Sequence, residues 1–315
     1  MGLKNDMFQF CRAKELEVQT AKQAWLIDSL WGKAAVGIIG GAPKCCKSWL
    51  GLDMAVSVAS ATPCMGKFQV KSSGSVLVFL AEDGFAAVRN RIEAICSHRG
   101  LDINMLDLYA ITEQTIRLDL AGDQQRLEAT VKVLRPKLLV LDPLVRLHSG
   151  DENSAADISL LLGFLRQLQR TYNTAIVLVH HASKKHRAQP GQALRGSSDL
   201  HAFGDSNAYL TRKDDRIVLT LEHRAAKPLD PFDVQLVSND DGSATHLELA
   251  SCQQSVSILP DRLMPLLMCA GRPLTRTSIR EKLKVNNQKL GDTLTDLEAK
   301  GAIIRSVKGW SAAAG

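Results

Sequence analysis

The sequence predicts an α/β protein with a mostly parallel sheet, followed by a small module of three helices and a hairpin. Three observations carry this prediction. Continuous apolar runs of strand length recur at residues 34–39, 76–80, 137–142 and 174–179, as in strands buried on both faces; half-exposed strands would alternate. Helical patterns stand between these runs, the alternation that lays strands parallel. From Ile258 the spacing changes to short helices at 261–269, 275–283 and 287–300, joined by Gly-Arg-Pro and Val-Asn-Asn turns.

The 315 residues suffice for one large core and an appendage. Hydrophobic residues make up 45% and charged residues 23%, ordinary for a globular chain. No apolar run approaches the ~20 residues of a membrane span, and residues 1–14 lack a signal-peptide core, so a cytoplasmic protein without a membrane partner is expected. Seven cysteines (Cys11, Cys45, Cys46, Cys64, Cys96, Cys252 and Cys269) show no metal-like spacing. Cys45 and Cys46 are either redox-sensitive thiols, activated by a helix N-terminus and Lys47, or small residues filling a tight loop. The formal net charge is +6, and between Val256 and Gly315 ten Lys or Arg face five acids. That excess suggests a polyanionic partner for the last segment.

In chain order, residues 1–24 read as an arm ahead of the core. Trp25 and Trp31 then approach the first strand, either to stack on a base or to pack under the first helix. The strand at 34–39 runs into Gly40-Gly41-Ala42-Pro43-Lys44-Cys45-Cys46-Lys47-Ser48 and a helical pattern from Trp49, with Leu50, Met54 and Val58 at helical spacing. A strand, a turn with inward N–H groups and a helix N-terminus together form a phosphate-binding loop. Gly41 to Trp49 are the candidate nucleotide-binding residues, with Lys47 reaching the β- and γ-phosphates and Ser48 completing a Mg²⁺ shell. Against G-x-x-x-x-G-K-[ST], the glycine before the lysine is replaced by Cys46, a cost wherever the loop needs positive φ. On the loop alone, a strand-turn-helix with a chance Lys-Ser remains the alternative.

The later strands bring further site signals. Residues 76–80 end in Ala81-Glu82-Asp83-Gly84, an acidic pair at the carboxyl end of a buried strand, where open parallel sheets gather ligands. Helical patterns at 86–99 and 123–134 flank a short strand at 106–111. Residues 137–142 end in Asp142-Pro143, the Walker B pattern, whose carboxylate holds the water shell of the Mg²⁺ at Ser48 or else caps a helix. After a long amphipathic helix at 154–170, the strand at 174–179 leads to His180 and His181, placed to sense a γ-phosphate or polarise its water. A basic Gly/Pro-containing loop at 184–192 precedes Arg195-Gly196-Ser197-Ser198. Strands at 207–211, 217–222 and 232–237 follow, with His223-Arg224 between the last two. The expected division is an arm at 1–24, an ATPase domain at 25–250, a linker at 251–257 and a terminal domain at 258–315. The last has the layout of a winged helix, with Leu290, Leu294 and Leu297 on one face of its third helix and a wing at 302–310.

The ordered set of Gly41 to Ser48, Glu82, Asp142, His180-His181, Arg195-Gly-Ser-Ser and His223-Arg224 resembles the RecA-like P-loop ATPases. Within them it is most similar to the plasmid RepA-type hexameric replicative helicases. The resemblance covers residues 25–249 and implies ATP and Mg²⁺ as cofactors. It implies phosphate and metal binding by Lys47 and Ser48, a metal role for Asp142, and a water-activating role for Glu82. It also implies a γ-phosphate sensor at His181 or His180, and arginines at 195 and 224 that reach a neighbouring subunit's nucleotide. A finger from a neighbour implies a homo-oligomer, a hexamer in that family.

The expected function is an oligomeric ATPase acting on DNA, a helicase or remodelling motor in plasmid or mobile-element replication. Residues 184–187 are then a candidate contact to single-stranded DNA. The alternative is an ATP-switched DNA-binding or regulatory protein without unwinding activity. A non-hydrolysing scaffold, suggested by Cys46, sits poorly with the retained Glu82 and Asp142.

Overall fold

The computed structural model describes residues 11–15, 25–150, 154–181, 198–213, 216–240, 243–250, 259–283, 285 and 287–313. The chain divides into two compact units, Met1–Ala250 and Ser251–Gly315. In the first, the elements are β1 (Trp25–Ile27), β2 (Trp31–Gly32), β3 (Val36–Gly41), α1 (Lys47–Ser60), β4 (Val76–Leu80), α2 (Phe85–His98), β5 (Leu108–Ala110), α3 (Ala121–Leu134), β6 (Leu138–Asp142), α4 (Ala155–Tyr172), β7 (Ala175–His181), α5 (Ser198–Phe203), β8 (Ser206–Lys213), β9 (Arg216–His223), β10 (Phe232–Val237) and β11 (His246–Leu249).

The main sheet has the order β11-β10-β9-β8-β3-β7-β6-β4-β5. Every pairing from β8 through β3 to β5 is parallel, and β8 to β11 are antiparallel. The period of two sorts the strand residues onto two cores. Ile39, Val78, Leu80, Val140, Val177 and Val179 pack with Leu50, Met54 and Val58 of α1 and Ile92 and Ile95 of α2. Ile38, Leu77, Phe79, Leu139, Leu141 and Leu178 pack with Val131 of α3 and Leu161 and Leu165 of α4. Helices on both faces explain why β3, β4 and β6 are buried along their whole length.

The chain leaves β3 through α1, crosses to β4, then returns by β6 and β7 to β3 and continues to β8 on its far edge. Parallel strands on either side of such a reversal leave a crevice at their carboxyl ends. The register aligns that rim: Gly41 lies beside His181, and Leu80 beside Asp142.

β3 and β8 approach closely. An ideal Cβ on Gly37 would stand 1.6 Å from the Ser206 carbonyl oxygen, and the Ile38 N–H donates to the Asn207 side-chain oxygen at 3.0 Å.

Trp31 is fully buried and its indole N–H donates to the Ala35 carbonyl at 3.3 Å, so it packs and does not stack on a base. Trp25 meets the His223 ring edge-on at 4.9 Å. α1 begins at Lys47, two residues before the apolar pattern starts, because its first turn faces the crevice. α5 and β11 lack a clear sequence signal: α5 is only six residues long, and β11 carries two charged or polar residues in four.

The second unit contains α6 (Leu259–Cys269), α7 (Arg276–Leu283), α8 (Asn287–Ala299) and a hairpin of β12 (Ile303–Ser306) and β13 (Gly309–Ala312). Leu263, Leu274, Ile279, Leu290, Leu294 and Ile303 form its core. Leu274 and Trp310 exchange backbone hydrogen bonds at 2.8 and 2.9 Å, tying the hairpin to the segment before α7. Among the described residues, no helix is long and apolar enough to cross a membrane.

The Gly37 contact gives the first prediction. Because the neighbour is backbone, Gly37→Ala must push β3 and β8 apart, and chemical denaturation should show a loss on the order of 2 kcal/mol or more.

Candidate functional site

The site begins where β3 runs out. An added Cβ on Gly41 would lie 2.4 Å from the Leu210 carbonyl oxygen, so only glycine fits there. In the loop that follows, Lys44 and Cys46 both take left-handed backbone, with φ of 62° and 61°. The position where the motif expects glycine thus has the backbone glycine favours, at a cost of about 1 kcal/mol for cysteine. Cys46 is the N-cap of α1, without a side-chain cap. The first helical bond runs from the Leu50 N–H to the Cys46 carbonyl at 3.0 Å. The N–H groups of Lys47, Ser48 and Trp49 therefore stand at the positive end of the helix without intrahelical acceptors, a ready anion site.

Lys47 is buried, and its ammonium donates to the Ala42 carbonyl at 2.8 Å. That carbonyl belongs to the peptide preceding Pro43, which has no N–H to be turned away in exchange. Burial lowers the lysine pKa, while Cys45, Asp142 and Glu82 act in the opposite direction. Trp49 has the Arg91 guanidinium over its ring at 5.6 Å.

Asp142, at the end of β6, is almost fully buried. Burial pushes its carboxyl up to about 6; the hydrogen bond from Ser48 and the charge of Lys47 oppose this, while Asp83 and Glu82 add to it. The Ser48 hydroxyl and the Asp142 carboxylate thus lie close enough for one to steady the charge of the other, next to the helix terminus. These hard oxygen donors suit a Mg²⁺ that keeps most of its water and phosphate ligands. Of the acidic pair after β4, Asp83 is held in a fork by Arg91 at 2.6 and 2.9 Å. Glu82 is exposed, with Arg146 at 3.1 Å.

Alternation separates the two histidines. Val177 and Val179 face α1, which puts His181 on the same face, whereas His180 follows Leu178 onto the α4 face and is buried. Val140 likewise faces α1, so Asp142 and His181 share a face with the loop.

Residues 5–187, more than half of the chain, match the AAA domain family. The chain belongs to that family. Two solved structures share the fold of this AAA domain protein. A RadB recombinase matches with a TM-score of 0.50 and 15% identity over 70% of this chain and 92% of its own. A DnaB-like replicative helicase, solved in a study of its interactions with primase, matches with a TM-score of 0.52 and 13% identity over 68% of this chain. The match spans 59% of the helicase chain. At these identities the likeness is one of fold, that of the RecA-like P-loop ATPases.

Around this core of the AAA domain, the other anticipated residues lie apart. Arg224 pairs with Asp205 at 3.0 Å and donates to the Ala202 carbonyl at 2.6 Å. It follows His223, which lies opposite Ser206 at the amino end of β8, the rim away from Lys47. Arg195 and residues 184–187 lie outside the described residues. Of the two readings of Cys46, the structure favours the loop residue: burial, and next the proximity of Cys45, raise its pKa, the opposite of activation. Sequence reasoning misses Arg212. It donates to the Lys44 carbonyl at 3.0 Å from a place two residues beyond Leu210, the partner of Gly41, a pairing that no local sequence signal reveals.

The buried Asp142 carboxylate yields a prediction with a definite sign. An acid whose folded pKa is raised costs stability as pH climbs from the ordinary carboxylate value to the folded one, and the full cost stands above it, so Asp142→Asn in chelator should melt higher than wild type, most of all above pH of about 6. The difference should close as pH falls towards the ordinary carboxylate value of 3.8, which thermal scans across pH would check.

Proposed function

We propose that this chain is a Mg-ATP hydrolase that works as a homo-oligomer on DNA. The observation that carries the reading is the convergence of Lys47, Ser48, Asp142 and Glu82 on the carboxyl rim of one parallel sheet, around the amino end of α1. Such a site does little covalent chemistry; it neutralises phosphate charge and aligns a water.

In this reading the N–H groups from Cys45 to Trp49 and the Lys47 ammonium bind the β- and γ-phosphates, and Lys47 exchanges the Ala42 carbonyl for phosphate oxygen. Ser48 directly, and Asp142 through water, hold Mg²⁺, which supplies charge neutralisation across the phosphates. Glu82 accepts the proton of the attacking water, since Asp83 is occupied by Arg91. His181 lies on the correct face to sense the γ-phosphate. Arg224, on the opposite rim of its own subunit, serves a neighbour's nucleotide, and Arg195 is proposed for the same role from its motif alone.

Action on DNA rests on three supports: the RepA-type motif order, the recombinase and helicase that share the fold, and the positive excess of the last segment. In the terminal unit, proposed as a winged helix, exposed Asp292, Asp296 and Glu298 on α8 disfavour groove reading by that helix. Phosphate contact falls instead to exposed Arg280, Lys282 and Lys308. These acids are what favours the second reading, an ATP-switched DNA-binding or regulatory protein without unwinding activity.

Turnover and nucleotide binding measured together test the hydrolase. Lys47→Ala should lose Mg-ATP binding, whereas Glu82→Gln should keep it and lose turnover by about 100-fold or more. Normal turnover by Glu82→Gln would remove that carboxylate from the chemistry. Displacement of a strand from a forked substrate marks the motor; stimulation by single-stranded DNA without displacement marks the switch.

A further inference from the structure

Arg212 stands on the carboxyl rim of β8, and its guanidinium donates through Nη2 to the Lys44 carbonyl at 3.0 Å. Its root is fixed relative to the loop, because Leu210 pairs with Gly41 across backbones too close for a Cβ. Ala208 and Leu210 face α1, and alternation turns Arg212 the same way, over the loop.

The bond falls on a peptide that needs holding. Lys44 and Cys46 both carry left-handed backbone, a conformation that L-residues resist. In a trans peptide the carbonyl of one residue and the N–H of the next point in opposite directions. Fixing the Lys44 carbonyl towards β8 therefore fixes the direction of the Cys45 N–H.

We propose that Arg212 is a positioning residue for nucleotide binding, clamping the phosphate loop in a left-handed geometry that glycine would reach unaided. The inference rests on the nucleotide site proposed above and adds to it a residue from the far side of β3. It also gives the cysteine before Lys47 a counterpart: the chain lacks the glycine of the motif and holds the loop from outside. The burial of Cys46 and the charge of Arg212 beside its thiol agree with this arrangement.

The test is a double-mutant cycle read by Mg-ATP affinity, with a fluorescent ATP analogue and the full chain. Arg212→Ala is expected to weaken binding by about five- to tenfold, about the loss of one exposed hydrogen bond of ordinary strength. Arg212→Lys should restore part of it. In a Cys46→Gly background, where left-handed backbone is no longer penalised, the same Arg212→Ala change should cost less than about twofold. The thermal midpoint of the nucleotide-free protein should stay the same in both backgrounds. Equal losses in the wild-type and Cys46→Gly backgrounds would overturn the proposal in favour of direct nucleotide contact, and an unchanged affinity would overturn it outright. A lowered nucleotide-free midpoint would make Arg212 a fold residue and overturn it as well. Wild type that binds no better than Lys47→Ala would instead sink the nucleotide site itself, and the clamp with it.

Discussion

The pairing of β3 on both edges, between β7 and β8, with helices over both faces, is the constraint on which the site depends. A strand held on four sides cannot slide or tilt, so the turn after Gly41 leaves the sheet at one fixed place. Contact between backbones makes this tighter still. Gly37 and Gly41 lie against the carbonyls of Ser206 and Leu210, which lets β8 come close enough for Arg212 to reach the loop. The same sheet sets the acids. Leu80 and Asp142 end in register, so the carboxylates that follow β4 and the one that ends β6 are delivered to the rim where α1 begins.

The charges gathered there are held at a cost. Lys47 and Asp142 are both buried, and burial shifts each towards its neutral form while their mutual attraction opposes the shift. Around them two arginines are already engaged: Arg91 takes Asp83 and covers Trp49, and Arg146 lies against Glu82. The result is one acid tightly held and its neighbour exposed. A site that concentrates charge in a dry crevice lowers stability in exchange for a strong field where phosphate binds.

The rim away from the loop has its own cluster. Asp205 takes Arg224 at 3.0 Å and Arg166 at 2.5 Å, and its backbone N–H reaches the Val36 carbonyl at 2.7 Å. A guanidinium that is half exposed and already oriented by a carboxylate is suited to contact a neighbouring chain, with little conformational entropy left to lose. In the proposed oligomer the two rims would supply complementary parts, the proposed nucleotide site on one side and Arg224 on the other.

Legible in the amino-acid order were the α/β class, the strands that end at the loop, the strand-end positions of Glu82, Asp142 and His181, and the helical leucines of the terminal unit. Those are local signals: a run buried on both faces, a glycine turn, a period of 3.6, each readable within a dozen residues. Which strand lies beside which emerged only on folding, because parallel pairing joins segments far apart in the chain and leaves no mark in the composition of either. That is why Arg212, 168 residues from the carbonyl it holds, was invisible, and why Trp31 proved to be core. It is also why two adjacent histidines, alike in sequence, separate onto opposite faces, and why Cys46 takes a left-handed backbone whose cost depends on the loop's anchors and not on its neighbours in the chain.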